Sequence, residues 1–141
     1  MLFFIDTNIA IYSAGKESPY KKDCLAVMEA LSSGKIKGIT SVEVYQEILH
    51  RYRSINLLSS GVKLIGYLDS LLIDVLPVRK SEIKMAIQFL EAYKNIKSRD
   101  AIHAAVMVSN DISTILSIDS HFDDIEGIER VDPAELIKGE I

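Results

Sequence analysis

Short apolar runs alternating with longer stretches of helical period constrain this chain more than any other feature of its sequence. Leu2-Phe3-Phe4-Ile5 is an unbroken apolar run, the pattern of a strand buried on both faces rather than one with a solvated face. Ile36 to Thr40, Ile73 to Leu76 and Thr114 to Ile118 are further short strand candidates, and Glu129 to Val131 reads as a last edge strand. Helical spacing fills the intervals. One helix is expected from about Tyr20 to Leu31. The next is capped by Ser41 and carries Val42, Tyr45, Ile48, Leu49 and Tyr52 on one face. Ser60 to Leu72 and Ser81 to Tyr93 follow, the latter with Ile83, Ala86, Ile87 and Leu90 on one stripe. Ser98 is the expected N-cap of a helix through Val108. Asp132, Pro133 and Glu135 supply a cap, a first-turn proline and a first-turn acid for a terminal helix. Strands alternating with helices make a parallel sheet covered by helices, an α/β fold. The breaks between elements are local, with no linker or repeat, so residues 1–141 read as a single domain.

Bulk properties narrow the function. The formal net charge is −4, which argues against a passive nucleic-acid coat held by phosphate contacts alone. It does not argue against a nuclease, because carboxylates that hold divalent cations lower the formal charge without repelling a substrate once metal is bound. The single cysteine, Cys24, excludes an intramolecular disulfide and fits a reducing compartment, so the chain reads as cytoplasmic. Its neighbours Leu25, Val27 and Met28 mark it as a buried thiol. No signal peptide is visible. The longest apolar region, Val62 to Val78, is interrupted by Lys63, Asp69 and Asp74, and a membrane span needs roughly 20 predominantly apolar residues.

Two acids stand out by position. Asp6 directly follows the first apolar run and Asp119 directly follows Thr114 to Ile118. The strand ends of an open parallel sheet share one edge, where ligands bind. Each acid also has a plain structural reading, Asp6 as a helix cap and Asp119 as a turn residue. Asp100 lies in the first turn of a helix, where the dipole favours its ionised form by about 0.3–1 kcal/mol. Glu43 and Glu47 share a helix face, with Glu43 reading as a surface residue. Carboxylates converging on a crevice suit hard cations such as Mg²⁺ or Mn²⁺. The histidines His50, His103 and His121 show no zinc-ligand spacing, and His103 reads as a residue packed inside the fold. No phosphate-cradling or dinucleotide-binding glycine loop is present.

Phe3-Phe4-Ile5-Asp6-Thr7-Asn8, Thr40-Ser41-Val42-Glu43-Val44-Tyr45-Gln46-Glu47-Ile48, Arg99-Asp100-Ala101-Ile102-His103-Ala104-Ala105 and Ser117-Ile118-Asp119-Ser120-His121-Phe122 resemble, in that order, the four acidic motifs of PIN-domain nucleases, including the VapC-type toxins of prokaryotic toxin–antitoxin pairs. The resemblance spans Met1 to about Leu136. It implies a three-layer α/β/α sandwich with a central parallel sheet of about four or five strands, and endoribonuclease activity dependent on Mg²⁺ or Mn²⁺. It selects Glu47 over Glu43. It implies that Asp6, Asp100 and Asp119 ligate metal, and that Glu47 ligates metal or orients the attacking water. Thr7, Asn8 and Ser117 would hydrogen-bond the ligands or a phosphate. Of the acids after the late strand, Asp119 is expected to bind metal directly and Asp123 through water, with Asp124 on the surface. An RNA substrate, a homodimer and a protein antitoxin complete the implied partners.

Three other readings compete. One is a housekeeping PIN nuclease for RNA maturation. Another is a catalytically inactive PIN-fold module that binds RNA or protein, which would normally lack one or more of the acids present here. The last is a receiver-like phosphotransfer domain, which calls for an early Asp pair and a Lys after a late strand; neither is found.

Overall fold

The computed structural model describes residues 1–139. Its core is a five-stranded, all-parallel sheet in the order β3-β2-β1-β4-β5. The strands are β1 (Leu2–Ile5), β2 (Lys37–Ser41), β3 (Asp74–Leu76), β4 (Thr114–Leu116) and β5 (Glu129–Val131). The helices are α1 (Thr7–Ala14), α2 (Lys21–Ser32), α3 (Val42–Ser54), α4 (Leu58–Leu71), α5 (Lys80–Ala92), α6 (Ser98–Ser109) and α7 (Pro133–Lys138), with a 3-10 turn at Ser120–Asp124. α1 to α4 and α7 pack with one another and α5 packs on α6, which makes the expected three-layer α/β/α sandwich.

β1 lies at the centre, between β2 and β4, and Phe3, Phe4 and Ile5 are buried, as a strand covered on both faces requires. The chain steps outward from β1 to β2 and β3, then returns to lay β4 against the other side of β1. At such a reversal the helices leaving the two central strands diverge and open a crevice at their carboxyl ends. The Asp6 N–H donates to the Leu116 carbonyl across 3.1 Å, so sheet hydrogen bonding fixes the backbone at the mouth of that crevice.

Three local expectations are corrected. Ser41 stands at the N-cap of α3 but makes no capping bond; it is also the last residue of β2, paired with Leu76, and its hydroxyl is buried. Ser98 is the first residue of α6, not its cap; Asp100 caps from inside the first turn by accepting the Lys97 N–H at 3.2 Å. On α5 the buried residues are Glu82 and Ala86, while Ile83 and Ile87 are 41% and 51% exposed. Glu82 turns inward because it satisfies itself locally, accepting from the Arg79 N–H (3.0 Å), the Arg79 guanidinium (3.2 Å) and the Ser81 hydroxyl (2.6 Å). The Cys24 thiol is fully buried, and burial, aided by Asp23 and Asp132, pushes it up to about 12, so it is no reactive thiolate. No helix among the described residues is long and apolar enough to cross a membrane.

Candidate active site

Asp6 occupies the N-cap of α1, and its Oδ1 accepts the Thr7 N–H at 2.8 Å. Its Oδ2 accepts from the Ser117 hydroxyl at 2.6 Å and from Asn8 Nδ2 at 3.1 Å. Asn8 also donates to Ser117 Oγ (3.2 Å) and accepts from the Ile118 N–H (3.3 Å), tying the end of β1 to the end of β4. Ser117 in turn accepts the Asp119 N–H at 2.9 Å. The Thr7 hydroxyl donates to Glu47 Oε2. Thr7, Asn8 and Ser117 thus each bond at least one of the acids, holding them in fixed orientation.

Asp6, Glu47, Asp100 and Asp119 all line one open cleft of about 870 Å³. Gln46, His50, Arg51 and Ser54 of α3 line it as well, and Lys97, Ser98 and Arg99 at the start of α6 contribute basic and polar groups. Glu43 lines it too and is half-buried, so it is not the plain surface residue expected. Burial, reinforced by the Glu47 charge, raises its pKa. Asp123 takes a different place. Both its oxygens bind Arg130, at 2.8 and 3.1 Å, and Arg130 Nη1 donates to the Ser117 carbonyl at 3.0 Å. Arg130 thus joins Asp123 to the end of β4 beside the acids. Asp124 is exposed.

Two histidines stand among the acids. His103 is fully buried on α6, with Nε2 3.2 Å from Glu47 Oε1 and 3.6 Å from Asp6 Oδ1. His121 Nδ1 is 3.1 Å from Asp119 Oδ1, which also accepts the His121 N–H at 2.9 Å. Donor atoms of Asp6, Glu47 and His103 lie within 4.8 Å of one another, and so do those of Asp100, Asp119 and His121.

The electrostatics are those of a site short of positive charge. Burial raises the Asp6 pKa, His103 and the Ser117 hydroxyl oppose it, and the Glu47 charge adds to it. Burial also raises that of Asp100; the Lys97 N–H opposes it, and the charges of Asp119 and Asp6 push it further up. Burial acts on Glu47 in the same direction, but His103, Thr7 and Arg99 overcome it and hold Glu47 below its ordinary value. Glu47 Oε1, His103 Nε2 and His121 Nδ1 are buried and make no hydrogen bond. Oxygen-rich donors with unpaired lone pairs and destabilised negative charge fit a hard divalent cation.

Comparison with known proteins decides the family: the PIN-domain family model matches residues 3–128. The chain belongs to the PIN-domain family. Ribonuclease VapC13 of Mycobacterium tuberculosis is 34% identical over 134 residues, spanning 92% of this chain and 99% of that protein. Ribonuclease VapC7 of the same organism is 25% identical, spanning 94% and 92%. Among solved structures, VapBC2 from Rickettsia felis bound to a promoter DNA fragment superposes with a TM-score of 0.70 at 13% identity, covering 94% of this chain and 98% of that one. Mycobacterium tuberculosis VapC20, a sarcin–ricin loop cleaving toxin, gives 0.70 at 16% identity, covering 85% and 91%. At these identities the structures speak for the fold.

Within this PIN domain, sequence reasoning missed the placement of both histidines among the acids. The signal for His103 was present: it follows Asp100 by three residues on one helix and shares its face. His121 was visible as a near neighbour of Asp119, two residues on in a tight turn.

Proposed function

We propose that this PIN domain is a divalent-metal-dependent endoribonuclease that hydrolyses RNA phosphodiester bonds, acting in the cytoplasm as the toxin of a toxin–antitoxin pair. The observation that carries the reading is the convergence of Asp6, Glu47, Asp100 and Asp119 on one cleft that also bears Arg51, Lys97 and Arg99. A relative at 34% identity named a ribonuclease supports it. Asp6, Asp100 and Asp119 would hold Mg²⁺ or Mn²⁺, with Glu47 either joining them or accepting a proton from the attacking water. The bound cation would supply charge stabilisation at the phosphoryl group and acidify water. Thr7, Asn8 and Ser117 keep the carboxylates in register, which preorganises the site. The basic side chains grip backbone phosphates, a contact that is independent of sequence and weakened by salt. In-line attack of water at phosphorus breaks the P–O3′ bond and leaves a 3′-hydroxyl and a 5′-phosphate. The test is incubation of the purified protein with a panel of structured RNAs, with and without Mn²⁺, beside Asp6→Asn. Cleavage should need metal and vanish in the variant; equal cleavage by Asp6→Asn in Mg²⁺ would refute the assignment, and no cleavage at all would favour a binding module.

The same reading includes a homodimer and a protein antitoxin. α4 buries Gly61, Leu64 and Leu68 against the fold, yet Leu58, Val62 and Tyr67 on the same helix are exposed, with Ile55 and Leu57 just before it. An apolar surface beyond what the fold buries is the mark of an interface. Light scattering at micromolar concentration should give twice the chain mass, and a monomer alone would count against the dimer.

A further inference from the structure

His103 is the one histidine of the chain that is wholly shut off from solvent. It sits three residues after Asp100 on α6, so helical geometry aims it at the same crevice. The Phe4 ring, 5.4 Å away and tilted by 49°, packs beside the imidazole. Nε2 faces Glu47 Oε1 at 3.2 Å and Asp6 Oδ1 at 3.6 Å, within ion-pair reach of both but not aligned as a hydrogen bond on either, and Nδ1 and Glu47 Oε1 likewise have no aligned partner. A buried imidazole that served only as a donor would aim its N–H at one of these oxygens, because leaving it unpaired costs about 1–3 kcal/mol. A single ion shared with Asp6 Oδ1 would give both Nε2 and Glu47 Oε1 a partner at once. Ligands at about 2.1 Å from one ion stand roughly 3 Å apart when adjacent, close to the separations seen here.

We propose that His103 is a nitrogen ligand of the cation held by Asp6 and Glu47, which makes this position a mixed nitrogen–oxygen site that selects Mn²⁺ over Mg²⁺. The inference rests on the metal-dependent reading above. Imidazole suits first-row transition ions, whereas Mg²⁺ prefers oxygen and parts with its waters reluctantly. Donor atoms of Asp100, Asp119 and His121 form a second cluster that does not include His103, so His121 serves as an internal control.

The experiment is electron paramagnetic resonance on the full chain with one equivalent of Mn²⁺. Loss of the free-ion signal counts the bound ion. Pulsed measurement of the bound ion then reads nitrogen coordination as a ¹⁴N modulation that shifts on ¹⁵N labelling. The wild type should show that modulation, His121→Gln should keep it, and His103→Gln should lose it. Mn²⁺ affinity should fall about 10–100-fold in His103→Gln, no less than the loss of an outer partner causes elsewhere, while Mg²⁺ affinity changes far less. Mn²⁺ bound without ¹⁴N modulation in the wild type would overturn the proposal without needing any variant to fold. Modulation that persists in His103→Gln, or disappears in His121→Gln, would overturn it as well. If no Mn²⁺ binds, the metal-dependent reading falls and takes this one with it.

Discussion

Asp100→Asn should stop RNA cleavage and, in the absence of divalent metal, make the protein more stable. The first effect follows from removing one of the carboxylates proposed to hold the metal; losing one preorganised electrostatic group typically costs about 10²–10³-fold in rate. The second follows from burial. Asp100 is 4% exposed, and its pKa is raised chiefly by desolvation, then by the charges of Asp119 and Asp6. A carboxyl whose folded value is raised contributes its full stability only below its unfolded value, 3.8, and loses it as pH rises through the folded value. At neutral pH the native state therefore carries an ionised group that the unfolded chain tolerates better. Asparagine has no charge to lose, and its side-chain oxygen can still accept the Lys97 N–H. The advantage of the variant in EDTA should be small near pH 4 and should grow as pH rises towards neutral. Saturating Mn²⁺ should reverse the order, because the wild type gains more from the ion. Thermal melts of both proteins at several pH values, with EDTA and with Mn²⁺, read all of this. A variant that melts below wild type in EDTA at neutral pH, or cleaves at the wild-type rate, would contradict the role assigned to Asp100.

The parts legible in the sequence are those set by local pattern. β5 and α7 begin and end close to where the sequence places them, because the Asp132-Pro133-x-Glu135 start is a strong local signal and Asp132 does accept the Ala134 N–H at 2.9 Å. The crevice was legible because apolar runs end abruptly at Asp6 and just before Asp119. Contacts between distant segments were not legible. Nothing near His103 in sequence reveals Glu47, which α3 brings beside it, and nothing near Asp123 reveals Arg130 of β5. The α5 stripe was misplaced because apolar periodicity takes no account of a glutamate that buries itself by bonding its own helix start. Ser41 and Ser98 were misassigned as capping groups because a cap is defined by backbone direction, which composition only suggests.

Phe122→Ala should destabilise the protein by about 3–5 kcal/mol and weaken metal binding along with it. Phe122 is fully buried and is the only buried residue of the 3-10 turn at Ser120–Asp124. Truncating a buried phenylalanine removes its transfer free energy and leaves a cavity, with a typical cost of about 3–5 kcal/mol. In a chain of this size, 1 kcal/mol moves the melting temperature by a few degrees, so a fall of about 10–20 °C is expected. The consequence for the site follows from position. Asp119 caps this turn and His121 lies within it, so the ring anchors the segment that presents Asp119 to the cleft. Without the ring, the turn is held by polar contacts such as the Asp119 cap, the Ile125 N–H to Phe122 carbonyl bond at 3.2 Å and the Arg130 clasp on Asp123. A less rigid ligand costs binding energy, because ordering it must then accompany capture of the ion. Phe122→Leu refills part of the cavity and should recover most of the stability and the Mn²⁺ affinity together. Were Phe122→Ala to lose stability yet bind Mn²⁺ as tightly as wild type below its melting point, the turn would be only a packing element and Asp119 would be held by the sheet edge alone.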